Sequence, residues 1–217
     1  MKFNSSQGVV DAPLRRLIVA GWTARDRAAV DHHIEELAAI GVAPPSEVPL
    51  FYQVAADLLT PADRIEALGP ETSGEAEPLL VHAGKRMWLG LASDHTDRAL
   101  EAYSVAHSKQ IAAKPCASEL WAYDEVEDHL DKLVLRSWIE EEGAETLYQE
   151  GPLSGLLPLC DLAERAGLTP GMAMLCGTMP AIGGVRAAPG LRMELHDPVL
   201  GRTISHAYRV EVLDIVN

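Results

Sequence analysis

Glu75, Glu77 and Asp94 are the side chains whose type and spacing best suit a shared chemical task. They flank a stretch that reads as a β-hairpin. Glu75 to Ala83 runs outward, Gly84-Lys85 turns, and Arg86 to Ala92 returns. Gly84 supplies the positive φ that such a turn needs. Residues two apart on a strand share a face, so Glu75 and Glu77 point the same way. Across a two-residue turn, opposed positions sum to an odd number. An even-numbered residue on the return therefore shares the face of odd-numbered residues on the way out. Asp94 is even and lies just past the return, opposite Glu75. A bulged turn would break this parity, because a one-residue slip flips the face. Three carboxylates on one face repel unless protonated or bound to a cation. An oxygen-only set suits Mg²⁺ or Mn²⁺, and Ca²⁺ as well, better than Zn²⁺. The competing reading of the same residues is a solvated acidic strand face on a metal-free protein.

Ser93-Asp94-His95-Thr96-Asp97-Arg98 adds a dense polar cluster directly after an apolar run. His95, beside Asp94, is the candidate for proton transfer there. The same cluster also reads as a helix cap and an exposed first turn. His32 and His33 are adjacent on an expected helix, face different ways and do not form a chelating pair. Arg25 and Arg98 could grip a carboxylate in bidentate fashion or form exposed ion pairs. Ser154 sits in Gly151-Pro152-Leu153-Ser154-Gly155, which is not a nucleophile elbow. Gly183-Gly184 lacks the strand–helix setting of a nucleotide loop.

The elements that must position these residues follow from periodicity and turn chemistry. Leu17 to Thr23 and Leu50 to Val54 read as strands, and Ala28 to Ile40 as a helix stopped by Gly41. Val42 to Ser46 is a turn and Pro70 to Gly74 a flexible connector. Pro78 makes the outgoing hairpin strand an edge or irregular one. Thr96 to Ala112 looks helical, with Ser93 or Asp94 as cap. Leu130 to Ile139 and Glu145 to Tyr148 are strands about an acidic turn, and Leu156 to Arg165 is a helix ended by Gly167. Met172 to Cys176, Leu191 to His196 and Thr203 to Leu213 are strands. The sum is a β-rich α+β domain spanning residues 1–217, with an N-terminal subregion 1–69 and a core 70–217.

Charge and cysteine content narrow the function. Eighteen Lys and Arg against 32 Asp and Glu give a net charge of −14, a field that repels nucleic acid. Three cysteines without paired-ligand spacing fit a reducing compartment and exclude a Cys-x-x-Cys zinc site. The beginning lacks the apolar core of an export signal, and no apolar stretch is long enough to span a bilayer. A cytoplasmic protein without membrane partners is expected.

In order along the chain, Glu75-Ala76-Glu77, Ser93-Asp94-His95-Thr96-Asp97-Arg98, Ser108-Lys109 with Lys114-Pro115, Leu168-Thr169-Pro170-Gly171 and Cys176-Gly177-Thr178-Met179-Pro180 resemble the motifs of the fumarylacetoacetate hydrolase-like superfamily. The resemblance spans roughly Glu75 to Leu213, with a weaker echo in Gly21 to Val54, and is closest to an uncharacterised bacterial branch. It implies a mixed β-roll with a few peripheral helices, often dimeric, with Mg²⁺ or Mn²⁺ on Glu75, Glu77 and Asp94. It implies a small anionic oxo-acid or β-dicarbonyl substrate that reacts through a metal-stabilised enolate, by C–C hydrolysis, decarboxylation or isomerisation. Lys109 would face the substrate carboxylate, Thr178 would donate a hydroxyl, and Tyr52 and Gln53 would line the pocket. This chain departs from the family in three places. Gly21-Trp22-Thr23-Ala24-Arg25-Asp26-Arg27 lacks the early histidine of the catalytic dyad, the Glu77-to-Asp94 spacing is short, and Met179 interrupts Gly-Thr-Pro. The missing histidine keeps a second expectation open, a non-catalytic small-molecule-binding or assembly protein on the same fold.

Overall fold

The computed structural model describes residues 1–39 and 44–216. In chain order its elements are β1 Lys2–Ser5, β2 Gly8–Asp11, β3 Arg16–Gly21, α1 Arg27–Ala39, β4 Leu50–Val54, β5 Leu59–Thr60, β6 Arg64–Leu68 and β7 Thr72–Ser73. Then follow β8 Ala76–Ala83, β9 Arg86–Ser93, β10 Thr96–Asp97, α2 Arg98–Glu101, α3 Val105–Gln110, β11 Lys114–Pro115 and β12 Trp121–Ala122. The last third holds β13 Val134–Glu141, β14 Ala144–Pro152, α4 Leu159–Arg165, β15 Met172–Leu175, β16 Gly190–Asp197 and β17 Arg202–Leu213. Gly41 and the first residues of the expected turn after it lie outside the described residues, as do the side chains of His32 and His33. Among the described residues no helix is long and apolar enough to cross a membrane.

Two sheets carry the fold. One is six-stranded and mixed, in the order β12-β9-β8-β15-β3-β4, and the other five-stranded, in the order β14-β13-β16-β17-β6. Both faces of the first are apolar, so its strands read as unbroken hydrophobic runs rather than alternations. Ile18, Leu80, Leu89, Leu91 and Met174 face the second sheet, meeting Leu135, Tyr148, Met193, Leu195, Ile204 and Tyr208. Leu17, Val19, Leu79, Val81, Ala92 and Leu175 face the other way, under Phe3 and Val10 of the β1–β2 hairpin and Leu120. The second sheet is wetter: buried and half-buried residues alternate along β13 and most of β16, the pattern of a sheet covered on one side. This is the expected β-rich α+β roll.

Four local expectations are corrected. Pro78 lies on a central strand, not an edge: β8 runs between β9 and β15. It is accommodated because the β15 ladder ends at Leu79, leaving the Pro78 carbonyl to accept from the Cys176 N–H at 3.0 Å. Thr72 and Ser73 are buried and paired with β10 rather than forming a loose connector. The long helix from Thr96 is two short ones, because two side chains in the run each cap a new start. Asp97 accepts from the Leu100 N–H at the head of α2, and Ser104, with extended backbone, from the His107 N–H at the head of α3. The cap is therefore Asp97, and Ser93 and Asp94 are free for other partners.

Candidate active site

The β8–β9 hairpin sets the site. It closes through Gly84, at φ +63°, and pairs Ala76 with Ser93 and Glu77 with Ala92. One step further, the Asp94 N–H donates to the Glu75 carbonyl at 2.9 Å. Every pair keeps the odd sum of a two-residue turn, so Glu75, Glu77 and Asp94 share the face of the large sheet that points away from the second sheet. Glu77 and Asp94 are buried at 3% and 1% exposure, while the Glu75 side chain keeps 16%.

Each carboxylate is held by a different segment. The Gly177 N–H donates to Glu77 Oε2 at 2.6 Å. That approach needs glycine: at φ +97° a Cβ would collide with the Thr23 hydroxyl and lie 2.9 Å from the Thr23 Cβ. Arg98 forks, donating to Glu75 Oε2 at 3.0 Å, to Glu101 at 2.8 Å and to the Ser73 hydroxyl at 2.7 Å. Asp94 carries two lysines. Lys109, from the last turn of α3, hydrogen-bonds Oδ2, and its ammonium stands 5.8 Å from the Tyr52 ring centroid. Lys114, at the start of β11, places its ammonium 3.2 Å from Oδ1 and donates to the His95 carbonyl at 2.5 Å.

Thr178 lies one residue beyond Gly177. Its hydroxyl donates to the Ala76 carbonyl at 2.6 Å and accepts from the Gln149 amide at 2.5 Å. Gln149, fully buried on β14, also accepts from the Ala76 N–H and from Ser137, and donates to the Met179 carbonyl. It ties the 177–179 loop to the strand that carries Glu77.

The structure does not bring His95 or Gln53 to the carboxylates. Adjacent strand residues face opposite ways, so Tyr52 packs toward Lys109 while the exposed Gln53 meets Arg16 on the other face. The His95 ring, 1% exposed, lies 2.9 Å from the Tyr208 hydroxyl through Nδ1 and 2.7 Å from the Thr72 hydroxyl through Nε2. Thr72 donates its single proton to the Thr96 carbonyl, so Nε2 is the protonated nitrogen and Nδ1 accepts from Tyr208. Ser93 completes the chain at 2.8 Å from the same Tyr208 oxygen. Burial, with Lys114 and Arg98 adding positive field, lowers the His95 pKa to about 3.

The carboxylates feel their mutual repulsion. Burial, then the charges of Asp94 and Glu75, push Glu77 well above the usual carboxylate range against the opposing Lys109 and Gly177 N–H. For Asp94, burial acts the same way but Lys109 and Lys114 outweigh it and hold the group below its ordinary value. Burial lowers the Lys114 pKa to about 8 despite Asp94. Among the described residues no three His, Cys, Asp or Glu side chains form a closed ligand set in this arrangement. The donor chemistry nevertheless suits a hard divalent ion. All three donors are carboxylates, Glu77 lacks sufficient counter-charge, and the buried Asp94 Oδ1, though ion-paired, accepts no well-aligned hydrogen bond. Two surface hollows, about 580 Å³ beside Trp121 and Arg202 and about 500 Å³ beside Tyr123 and Cys160, lie away from this cluster.

Gln149 is the site residue that sequence reasoning missed, while Gly177 and Lys114 stood inside the matching motifs with no role assigned to them. Lys114 had a signal, a lone charge inside the apolar run Ile111 to Ala117. Gln149 had none, since its partners come from β8, β13 and the 177–179 loop.

This arrangement of sheets is the fumarylacetoacetate hydrolase-like fold. Solved structures similar to it include a protein from Yersinia pestis CO92 assigned to the fumarylacetoacetate hydrolase family, at 17% identity and TM-score 0.69 over 97% of this chain and 100% of that one. A fumarylpyruvate hydrolase from Pseudomonas aeruginosa in complex with Mn²⁺ and pyruvate matches at 18% identity and TM-score 0.66, over 98% and 96%. A 2-keto-3-deoxyarabinonate dehydratase matches at 14% identity and TM-score 0.67, over 96% and 77%. Comparison with curated proteins gives no match. Residues 20–208 match the family described as protein of unknown function DUF2848, and with most of its length inside that match the chain belongs to this family.

Proposed function

We propose that the protein is a divalent-metal-dependent enzyme acting on a small anionic oxo-acid or β-dicarbonyl, with Glu75, Glu77 and Asp94 as the residues that hold Mg²⁺ or Mn²⁺. The observation that carries this reading is a three-carboxylate face with Glu77 and Asp94 buried, on which burial first and the neighbouring carboxylates second push Glu77 well above the usual carboxylate range. When bound, the ion supplies a Lewis acid for a substrate carbonyl oxygen, where negative charge develops during C–C hydrolysis, decarboxylation or isomerisation. Lys109, held charged by Asp94 at the Tyr52 side of the cluster, pairs with a substrate carboxylate, and Tyr52 shields that pair from water. Arg98 and the Gly177 N–H orient Glu75 and Glu77, and Thr178 holds its loop against β8. His95 acts as a positioning residue, holding Tyr208 and, through it, Ser93 next to Asp94 in the chain. The mixed hydrolase and dehydratase chemistry of the similar structures supports the class without choosing the reaction. A cytoplasmic homodimer belongs to the same reading.

Both His95 nitrogens are engaged by Tyr208 and Thr72. That observation favours a second reading, a binding protein that kept the carboxylates without a working base.

Thermal unfolding of wild type and Glu77→Gln with and without Mn²⁺ tests the metal reading. At a hundredfold excess over Kd a native-state ligand adds about 2.7 kcal/mol. For a chain of this size that raises the midpoint by roughly 5–10 °C. Wild type shifts and Glu77→Gln does not, although the variant without metal unfolds no earlier, since an amide replaces a carboxylate that burial already disfavours. Equal shifts in both, or none in either, would sink the reading. Turnover of oxo-acids abolished by EDTA supports the enzyme, whereas stoichiometric Mn²⁺ without turnover supports the binding protein.

A further inference from the structure

Lys114 is among the largest fully buried side chains, at 0% exposure, and burying an ammonium is costly unless it is paired and hydrogen-bonded. It has one carboxylate partner, Asp94, and one carbonyl, that of His95. Asp94 already has a lysine in Lys109, so the second cation is surplus to simple pairing. The two lysines are placed differently. Lys109 lies beside the half-exposed Tyr52, on the side of the cluster where Glu75, Arg98 and Glu101 keep some solvent contact. Lys114 enters from within, on β11, which pairs with β5. Around three carboxylates the fold thus places three basic side chains, Arg98, Lys109 and Lys114, and of these only Lys114 is wholly enclosed.

We propose that Lys114 is a built-in counter-charge that sets the cation affinity of the carboxylate face. The inference rests on the metal reading above. The ammonium, 3.2 Å from Asp94 Oδ1, holds that carboxylate in place while the ion is absent, and it opposes the ion once bound. The result is a preorganised site with a weakened, exchangeable metal. An apolar side chain of similar length removes the opposition and leaves Asp94 less compensated, and both effects favour a divalent ion.

The test is Mn²⁺ binding to the full chain, followed by the electron paramagnetic resonance of free Mn²⁺, for wild type, Lys114→Met, Lys114→Gln, Lys114→Arg and Glu77→Gln. Lys114→Met and Lys114→Gln are expected to bind Mn²⁺ about ten-fold tighter or more, because a like charge a few ångströms from the ion has gone. Lys114→Arg keeps the charge and the wild-type affinity, and Glu77→Gln loses binding. Damage to packing alone would weaken binding, not tighten it. Should Lys114→Met fail to fold, Lys114→Gln, whose amide still reaches a carbonyl, decides alone. Wild-type binding matched or weakened in the neutral variants overturns the role of Lys114 and leaves the metal reading standing. Absence of Mn²⁺ binding in every protein overturns both.

Discussion

Acidification probes the His95 network. The ordinary imidazole value of 6.5 falls to about 3 in the native protein, through burial and the nearby Lys114 and Arg98 cations. Between those values the unfolded chain binds a proton at His95 that the native chain does not. Stability therefore rises with pH across the interval and falls on acidification. The contribution is fully present above 6.5 and is lost as pH falls toward 3. From about pH 7 to about pH 5 the loss is about 2 kcal/mol, out of an upper bound of about 5 kcal/mol for the whole interval. His95 is 1% exposed, so solvent screening does not reduce this figure appreciably. Urea unfolding of wild type and His95→Gln at the two pH values gives the test, with the slope held common. Glutamine fills the space with an amide that cannot titrate. Glu77, whose raised pKa stabilises the protein in the opposite direction on acidification, is common to both proteins and cancels. Wild type should lose about 2 kcal/mol more than the variant on acidification. Equal losses in the two proteins would refute the assignment. A wild-type His95 whose nitrogen shifts report a charged ring at about pH 5 would do the same.

Gln149→Leu strands the Ala76 N–H, the Ser137 hydroxyl and the Met179 carbonyl in the interior, and chemical denaturation should register a loss on the order of 3 kcal/mol. Gly177→Ala forces a Cβ onto Thr23 at a left-handed φ and moves the N–H off Glu77. A loss of about 2–4 kcal/mol together with a reduced Mn²⁺ thermal shift is expected, and an unchanged shift would mean that the Glu77 contact is dispensable. Arg98→Lys keeps the charge but cannot reach Glu75, Glu101 and Ser73 at once. Denaturation should show a loss of about 2–4 kcal/mol, while a loss under about 0.5 kcal/mol would mark Arg98 as an ordinary surface ion pair.

What was legible in the sequence follows the range of the interaction. The hairpin needed only Gly84, a two-residue turn and strand parity, and these put Glu75, Glu77 and Asp94 on one face before any tertiary contact was known. The helix after Asp94 was misjudged because its period is helical throughout, while Asp97 and Ser104 each offer the backbone a competing hydrogen bond and restart it. Thr72-Ser73 reads as a loop by composition. It is buried because partners distant in the chain engage it, β10 through its backbone and His95 and Arg98 through its hydroxyls. The face of Gln53 was legible by alternation with Tyr52, but which face meets Lys109 depends on how β4 docks beside β3, and that is a property of the whole sheet.

The same distinction of range bears on what the site does. Carboxylates brought together by one hairpin are a local design that many strands could reach by chance. The groups that hold them come from β11, α2, α3 and the 177–179 loop, segments that share no local pattern with the hairpin. A merely solvated acidic face needs none of them. Burying Glu77 at 3% exposure beside Asp94 at 1% works against folding, since two desolvated carboxylates repel. Hydrophobic residues at both positions would join β8 and β9 to the core without that conflict. The conflict is retained together with two lysines, an arginine and a glycine at a left-handed φ that contact these carboxylates and their neighbours. Local stability does not account for such a set, and the cation proposed above would complete it.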